Sequence, residues 1–146
     1  MNVSRFVSCQ DEYSLVVRDI EKDLLPAAQE YNLGLLPFFP LASGLLTGKY
    51  KRGEAAPDDT RFGKVARLRD RYVTPRNEAI VEKLQAFAQA RGHSMLELAF
   101  SWLSARPQVA SVIAGATRVE QVEQNVKAIG WALTTEEIAE IAEITK

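Results

Sequence analysis

The run Ser111-Val-Ile-Ala-Gly-Ala-Thr-Arg-Val-Glu-Gln-Val-Glu-Gln-Asn125 has residue types suited to holding phosphate. Val109, Val112 and Ile113, with Ala110 and Ala114, read as a short buried strand. Gly115 turns the chain, and Thr117 with Glu120 spells a capping box at a helix start. A strand passing through glycine into a capped helix aims free backbone N–H groups and a positive dipole end at one spot, which attracts phosphate. Arg118 beside it adds a fixed guanidinium suited to a second phosphate. The same residues also fit a plain strand–turn–helix connection in which Thr117 only caps the helix, a common turn in α/β proteins.

The elements around this run alternate. Val3 to Cys9 is a partly apolar run suited to a first strand. Ile20, Leu24, Ala27, Ala28 and Tyr31 recur at helical spacing, and Asn32 with Gly34 closes that helix as a C-cap does. Leu35-Leu36-Pro37-Phe38-Phe39 follows as a second apolar strand. The segment from Pro40 to Thr74, rich in Gly, Asp, Lys and Arg and without a sustained period, reads as a long functional or mobile loop. Thr74-Pro75 marks an N-cap with proline at the first helical position, and Ile80, Leu84, Phe87 and Ala88 carry that helix to Gly92. Ser94 and Glu97 form a second capping box, with Met95, Leu98, Ala99 and Trp102 as the buried stripe. Pro107 precedes the third strand at Val109, and Thr134 with Glu137 opens a terminal helix that turns Ile138 and Ile141 inward. This order predicts an α/β fold with about three parallel strands, right-handed crossovers and bare sheet edges.

The 146 residues make one domain's worth of chain, and 47% hydrophobic with 25% charged residues is ordinary globular composition. A net charge of −1 gives no electrostatic footprint for nucleic acid or an anionic membrane. Cys9 is the one cysteine, so disulfide frameworks and cysteine-based metal motifs are excluded, and no metal ligand set is assigned. No apolar run approaches the roughly 20 residues that span a bilayer, and Met1-Asn-Val-Ser-Arg5 lacks a signal-peptide layout. A cytoplasmic, reducing location is the expectation. His93 reads as a surface turn residue, Trp102 and Trp131 as core anchors, and Cys9 as an inert buried thiol. Lys64, Arg67, Arg69 and Arg71 with Asp70, and Glu136, Glu137, Glu140 and Glu143, read as solvated faces.

Leu35 to Tyr50 and the Ser111 to Asn125 run together resemble the aldo-keto reductase family, a (β/α)8 TIM barrel of NADPH-dependent carbonyl reductases. The first is similar to that family's seventh strand and the loop after it. The second is similar to the eighth strand and the helix that holds the adenosine 2′-phosphate. Val7-Ser8-Cys9-Gln10-Asp11-Glu12-Tyr13-Ser14-Leu15 is similar to the sixth strand. The matches fall in the family's order, cover nearly the whole chain, and make residues 1–146 one partial barrel domain with a long loop at 40–74. TIM barrels commonly bind phosphate with the loops after strands seven and eight and a nearby helix N-terminus.

The resemblance implies NADP as cofactor and an aldehyde or ketone as substrate. Gln10 would hydrogen-bond the nicotinamide carboxamide, and Phe38 would lie against the nicotinamide face. Phe39 follows it where relatives often have serine. Pro40, Leu41, Ser43 and Lys49 would line the pyrophosphate path, with Arg61 reaching in from the long loop. Gly115, Thr117, Arg118, Gln121 and Asn125 would hold the adenosine end. Gln124 stands where many relatives have glutamate, and Pro37 lies inside a strand. The family's catalytic Asp, Tyr, Lys and His come from early strands of a barrel needing about 250 residues, so no catalytic residue is assigned. Two function classes follow. One is the C-terminal part of a reductase, inactive alone. The other is a non-catalytic nucleotide-binding or oligomerisation module whose uncovered strand edges pair with another copy.

Overall fold

The computed structural model describes residues 4–50, 54 and 56–146. β1 (Ser8–Glu12) pairs in parallel with β2 (Gly34–Phe38), Ser8 opposite Gly34 and Glu12 opposite Phe38. The first strand therefore lies later than the Val3–Cys9 run, of which Val3 falls outside the described residues. Backbone pairing sets its bounds: Gly34 N donates to Val7 O at 3.0 Å and Tyr13 N to Phe38 O at 3.4 Å, while Phe6 and Val7 stay exposed.

The predicted first helix divides into a 3₁₀ turn (Asp19–Glu21) and α1 (Leu24–Glu30). Pro26 has no N–H to give the Lys22 carbonyl, so a helix cannot run unbroken from Ile20, and proline is tolerated only in a first turn. Asn32 alone supplies the left-handed residue that ends α1, at φ 53°, with Leu33 N bonding Ala28 O at 2.8 Å. Gly34 instead opens β2, where an added Cβ would lie 3.1 Å from Ala110 Cβ.

The third strand does not form as a strand. It survives as two parallel bridges, Leu35 to Val109 and Phe38 to Ile113. Leu35 O accepts from Ala110 N at 2.9 Å, and Pro37 O accepts from Ile113 N at 2.8 Å. Two residues of β2 thus span three of the incoming run. Pro37 has no N–H to continue the ladder between these points, and the run bulges by one residue there. The sheet is left with two strands.

Segment 40–74 is not structureless. It contains 3₁₀ turns over Ala42–Thr47, α2 (Arg61–Lys64) and α3 (Ala66–Tyr72). Its lack of a long period reflects helices of one or two turns, anchored by single aromatics. Phe62 and Tyr72 are fully buried, and the rings run Tyr50–Phe62 (4.7 Å) and Phe62–Tyr72 (6.5 Å).

α4 (Pro75–Gln89) starts as its sequence predicts, with Thr74 Oγ1 accepting from Asn77 N at 3.2 Å. α5 (Met95–Ser104) and α7 (Thr135–Ile144) open on the predicted capping boxes. Trp102 sits fully buried at the centre with Tyr13, Leu15, Leu35, Leu84 and Leu98, and the Arg106 guanidinium covers its ring at 4.3 Å. Trp131 and Cys9 are half-buried rather than interior. His93 is a packed residue, not a bare turn: its ring lies 4.1 Å from that of Trp131 and nearly parallel to it. The acidic face of α7 is partly paired, since Arg91 meets Glu137 at 3.1 Å and Glu140 at 2.7 Å. α6 (Val119–Lys127) buries no residue and leaves Val119, Val122 and Val126 exposed, with Ile129 just beyond it. Among the described residues, no helix is long and apolar enough to cross a membrane.

Candidate functional site

Parallel pairing brings the C-terminal ends of β1, β2 and the 109–113 run to one side, since Glu12 lies opposite Phe38 and Phe38 bridges to Ile113. The residues singled out from sequence lie on these strands, on the segments that leave their ends, or on α6. Gln10, opposite Leu36, is exposed and shares a sheet face with Phe38 two positions on. Phe38 is half-buried and meets Phe39 edge-on, centroids 5.5 Å apart.

Beyond Phe38 the backbone enters the left-handed region at Phe39 (φ 52°), Ala42 (45°) and Ser43 (58°). Each such non-glycine residue costs on the order of 1–3 kcal/mol, and such strain clusters at ligand sites. Pro40 is buried, and the Leu41 carbonyl accepts from Gly44 N at 2.8 Å and Leu46 N at 3.1 Å, which closes the turn. Ser43 is 5% exposed, yet its Oγ has no hydrogen-bond partner. A buried hydroxyl left unpaired costs about 1–3 kcal/mol, so its position suits a ligand that completes it. The exposed Lys49 folds back over the same turn, with its Nζ 3.7 Å from where a Cβ on Gly44 would sit. Pro40, Leu41, Ser43 and Lys49 therefore form one cluster whose hydroxyl and ammonium suit an anion such as a pyrophosphate. Arg61 begins α2, exposed, and among the described residues no hydrogen bond or ion pair joins it to that cluster.

At the start of α6 (Val119–Lys127) the Thr117–Glu120 capping box does not form. α6 begins at Val119 with Arg118 as its N-cap residue, so Glu120 falls one position short of the place a capping box needs. Gln121 occupies that place, and its Oε1 accepts from Thr117 N at 2.8 Å and from Thr117 Oγ1 at 3.2 Å. Thr117 and Arg118 remain exposed at the positive end of the helix dipole. Around Gly115 an added Cβ would meet nothing within 4 Å, so space for a ligand is open there. Arg118, Gln121 and Asn125 share one side of α6 by helical spacing. Asn125 is half-buried and lines a cavity of about 400 Å³ with Phe100, Val112, Val122, Val126 and Ile129.

Sequence reasoning missed Glu12. At 8% exposure it ends β1, accepting from Tyr72 Oη on one carboxylate oxygen and from Arg71 Nη2 on the other. Arg71 is thus not simply part of a solvated basic face. Burial, and next the Glu12 carboxylate, push the Tyr72 hydroxyl up to about 12. No sequence signal marks Glu12, since it follows the polar Gln10 and Asp11 and its partners lie about sixty positions away. Among the described residues no His, Cys, Asp and Glu cluster is arranged to hold a metal ion.

Parallel strands joined through helices, with their loops at the C-terminal strand ends, make this a piece of an α/β fold built from βαβ units. The Aldo/keto reductase family model matches residues 1–146, and the chain belongs to that family. It is 41% identical over 138 residues to an L-glyceraldehyde 3-phosphate reductase of Escherichia coli O157:H7, covering 90% of this chain and 39% of the relative. A probable voltage-gated potassium channel subunit beta of Arabidopsis thaliana is 38% identical over 128 residues, covering 82% of this chain and 37% of that protein. The solved glycerol dehydrogenase of Gluconobacter oxydans superposes with a TM-score of 0.74 at 32% identity, over 92% of this chain and 41% of its own. The chain spans about two fifths of the length of these relatives. The family fold is a (β/α)8 barrel of nicotinamide-dependent oxidoreductases, and this chain forms a partial α/β segment of it with a two-stranded parallel sheet.

Proposed function

We propose that the chain is the NADP-binding, C-terminal part of an aldo-keto reductase that reduces aldehydes or ketones. The supporting observation is the buried, unpartnered Ser43 hydroxyl on left-handed backbone, with the Lys49 ammonium folded over the same turn. In this reading Ser43 and Lys49, with the Pro40–Leu41 backbone, hold the pyrophosphate, and Arg61 reaches toward it. Phe38 backs the nicotinamide ring beside Phe39, and Gln10 bonds its carboxamide. Gly115 leaves room for the adenosine, while Thr117, Arg118, Gln121 and Asn125 grip it. NADPH, when bound, supplies hydride. The proton must come from the catalytic Asp, Tyr, Lys and His that the family resemblance places on earlier strands. Tyr72, pushed up to about 12, is a poor proton donor near neutral pH. The chain by itself is therefore expected to be inactive, its partners being NADP and a carbonyl compound rather than nucleic acid or membrane, in the cytoplasm.

Titration of NADP+ and NAD+ against the parent chain and Arg118→Ala tests the cofactor assignment. A charge-assisted bond contributes about 1.5–3 kcal/mol, so NADP+ should bind roughly ten- to a hundredfold more tightly than NAD+. Arg118→Ala should erase that preference. Equal affinities in the parent would overturn the 2′-phosphate assignment, and carbonyl turnover by the isolated chain at the rate of an intact reductase would overturn its inactivity. A second reading, self-association through an apolar surface, rests on the exposed valines of α6.

A further inference from the structure

We infer that Glu12 is a positioning residue for the pyrophosphate half of the cofactor site. Its carboxylate, at the end of β1, fixes Tyr72 and with it the ring ladder that sets Ser43 and Lys49. The inference rests on the NADP reading above. Both carboxylate oxygens are engaged, one by Tyr72 Oη and one by Arg71 Nη2, and Arg71 also lies over the Tyr72 ring at 5.1 Å. Tyr72 is gripped from its backbone as well, where Asn77 Nδ2 donates to its carbonyl at 2.9 Å. From this fixed ring two routes reach the cluster. Ser43 Oγ lies within reach of the Tyr72 hydroxyl oxygen, in a geometry that falls short of a full hydrogen bond. Phe62 lies between Tyr72 and Tyr50 with its ring tilted to both, and the Lys49 ammonium sits 5.0 Å from the centre of the Tyr50 ring.

Fold stability alone does not call for a buried carboxylate, since apolar residues of similar volume often serve a core position as well. What a carboxylate adds is direction. It holds the Tyr72 proton toward β1, so that hydroxyl does not donate to Ser43, and the Ser43 hydroxyl can turn its own proton to a phosphate oxygen. It also joins α3 to the strand end across sixty residues of chain, which holds the segment bearing Lys49 in register with Phe38.

The test uses the full 146-residue chain, its Glu12→Gln and Tyr72→Phe variants, and two probes. NADP+ spans the whole site, whereas adenosine 2′-monophosphate reaches only the Thr117–Arg118 end. Each variant should bind NADP+ about tenfold more weakly, as the displaced Ser43 and Lys49 lose about one charge-assisted contact to the pyrophosphate, with adenosine 2′-monophosphate affinity unchanged. Unchanged NADP+ affinity in both variants overturns the positioning role, as does an equal loss for both probes. A parent chain that binds neither probe overturns the cofactor reading and this inference with it. Trypsin digestion without nucleotide separates the two: cleavage after Arg67 and Arg69 should be faster in Glu12→Gln. Cleavage at the parent rate would overturn the tether whatever the nucleotide result.

Discussion

Glu21 gathers two residues of its own segment and, through Arg18, reaches the C-terminal helix. Its carboxylate accepts from Tyr13 Oη at 2.5 Å and from Arg18 Nε and Nη2 at 2.9 and 2.8 Å, while Arg18 also reaches Thr145 near the C-terminus. Burial alone would raise the Glu21 carboxyl, but the hydrogen bonds from Arg18 and Tyr13 outweigh it and hold it below the usual carboxylate range. Because the folded value is depressed, the stabilisation is present above the unfolded carboxylate value, about 4.3, and disappears as pH falls through the folded one. Thermal unfolding across that window should therefore show a shallower acid slope in Glu21→Gln than in the parent, and a lower midpoint at neutral pH. Equal slopes would show that Glu21 is not a source of the acid sensitivity. Whereas the Arg18–Glu21 spacing is local, Glu12 was not legible in sequence as an anchor, because only folding brings Tyr72 and Arg71 near it. Trp102 was, since a large apolar ring on a helical stripe has few places to go but the core.

Caps were legible because the whole interaction lies within four consecutive residues. Ser94 with Glu97 and Thr134 with Glu137 form as read, Ser94 N donating to Glu97 Oε2 at 2.7 Å and Thr134 N to Glu137 Oε2 at 2.9 Å. Thr117 with Glu120 has the same spacing and fails, since Gln121 satisfies Thr117 and the helix starts at Val119 instead. Ser94→Ala and Thr134→Ala should thus each lower stability by about 1 kcal/mol. Thr117→Ala should stay within about 0.5 kcal/mol, measured by denaturant unfolding; a larger loss would mean that Thr117 supports α6 after all. Within segment 40–74 the short helices escaped sequence reading because aromatics and one glycine, not a period, fix them. A Cβ on Gly63 would collide with Pro57 O and lie 2.7 Å from Asp58 Cα. Gly63→Ala should therefore loosen α2, giving faster proteolysis between Arg61 and Arg69 and a lower melting temperature. An unaltered digest would mean that the turn shifts without cost.

At the scale of the whole molecule, periodicity supported alternating strands and helices, but the barrel came from the resemblance, and the third strand was misjudged because Pro37 acts across strands rather than along one. The exposed apolar face of α6, with Val119 at 71%, Val122 at 51% and Val126 at 68%, is unusual for a helix of a finished domain. Self-association through it should appear as a concentration-dependent sedimentation coefficient, and Val122→Asp with Val126→Asp should abolish it. A parent that sediments as a monomer at every concentration would remove the oligomerisation reading. The Pro37 bulge also bears on time rather than shape. Ala110 and Ile113 give their amides to β2, whereas Ser111 and Val112 give theirs to no backbone acceptor among the described residues. Their deuterium uptake should run well ahead of that of their neighbours. The stretch leading to Gly115 and Arg118 would then be the first part of the sheet to breathe, and nucleotide binding would register there as slowed exchange before any other signal changes.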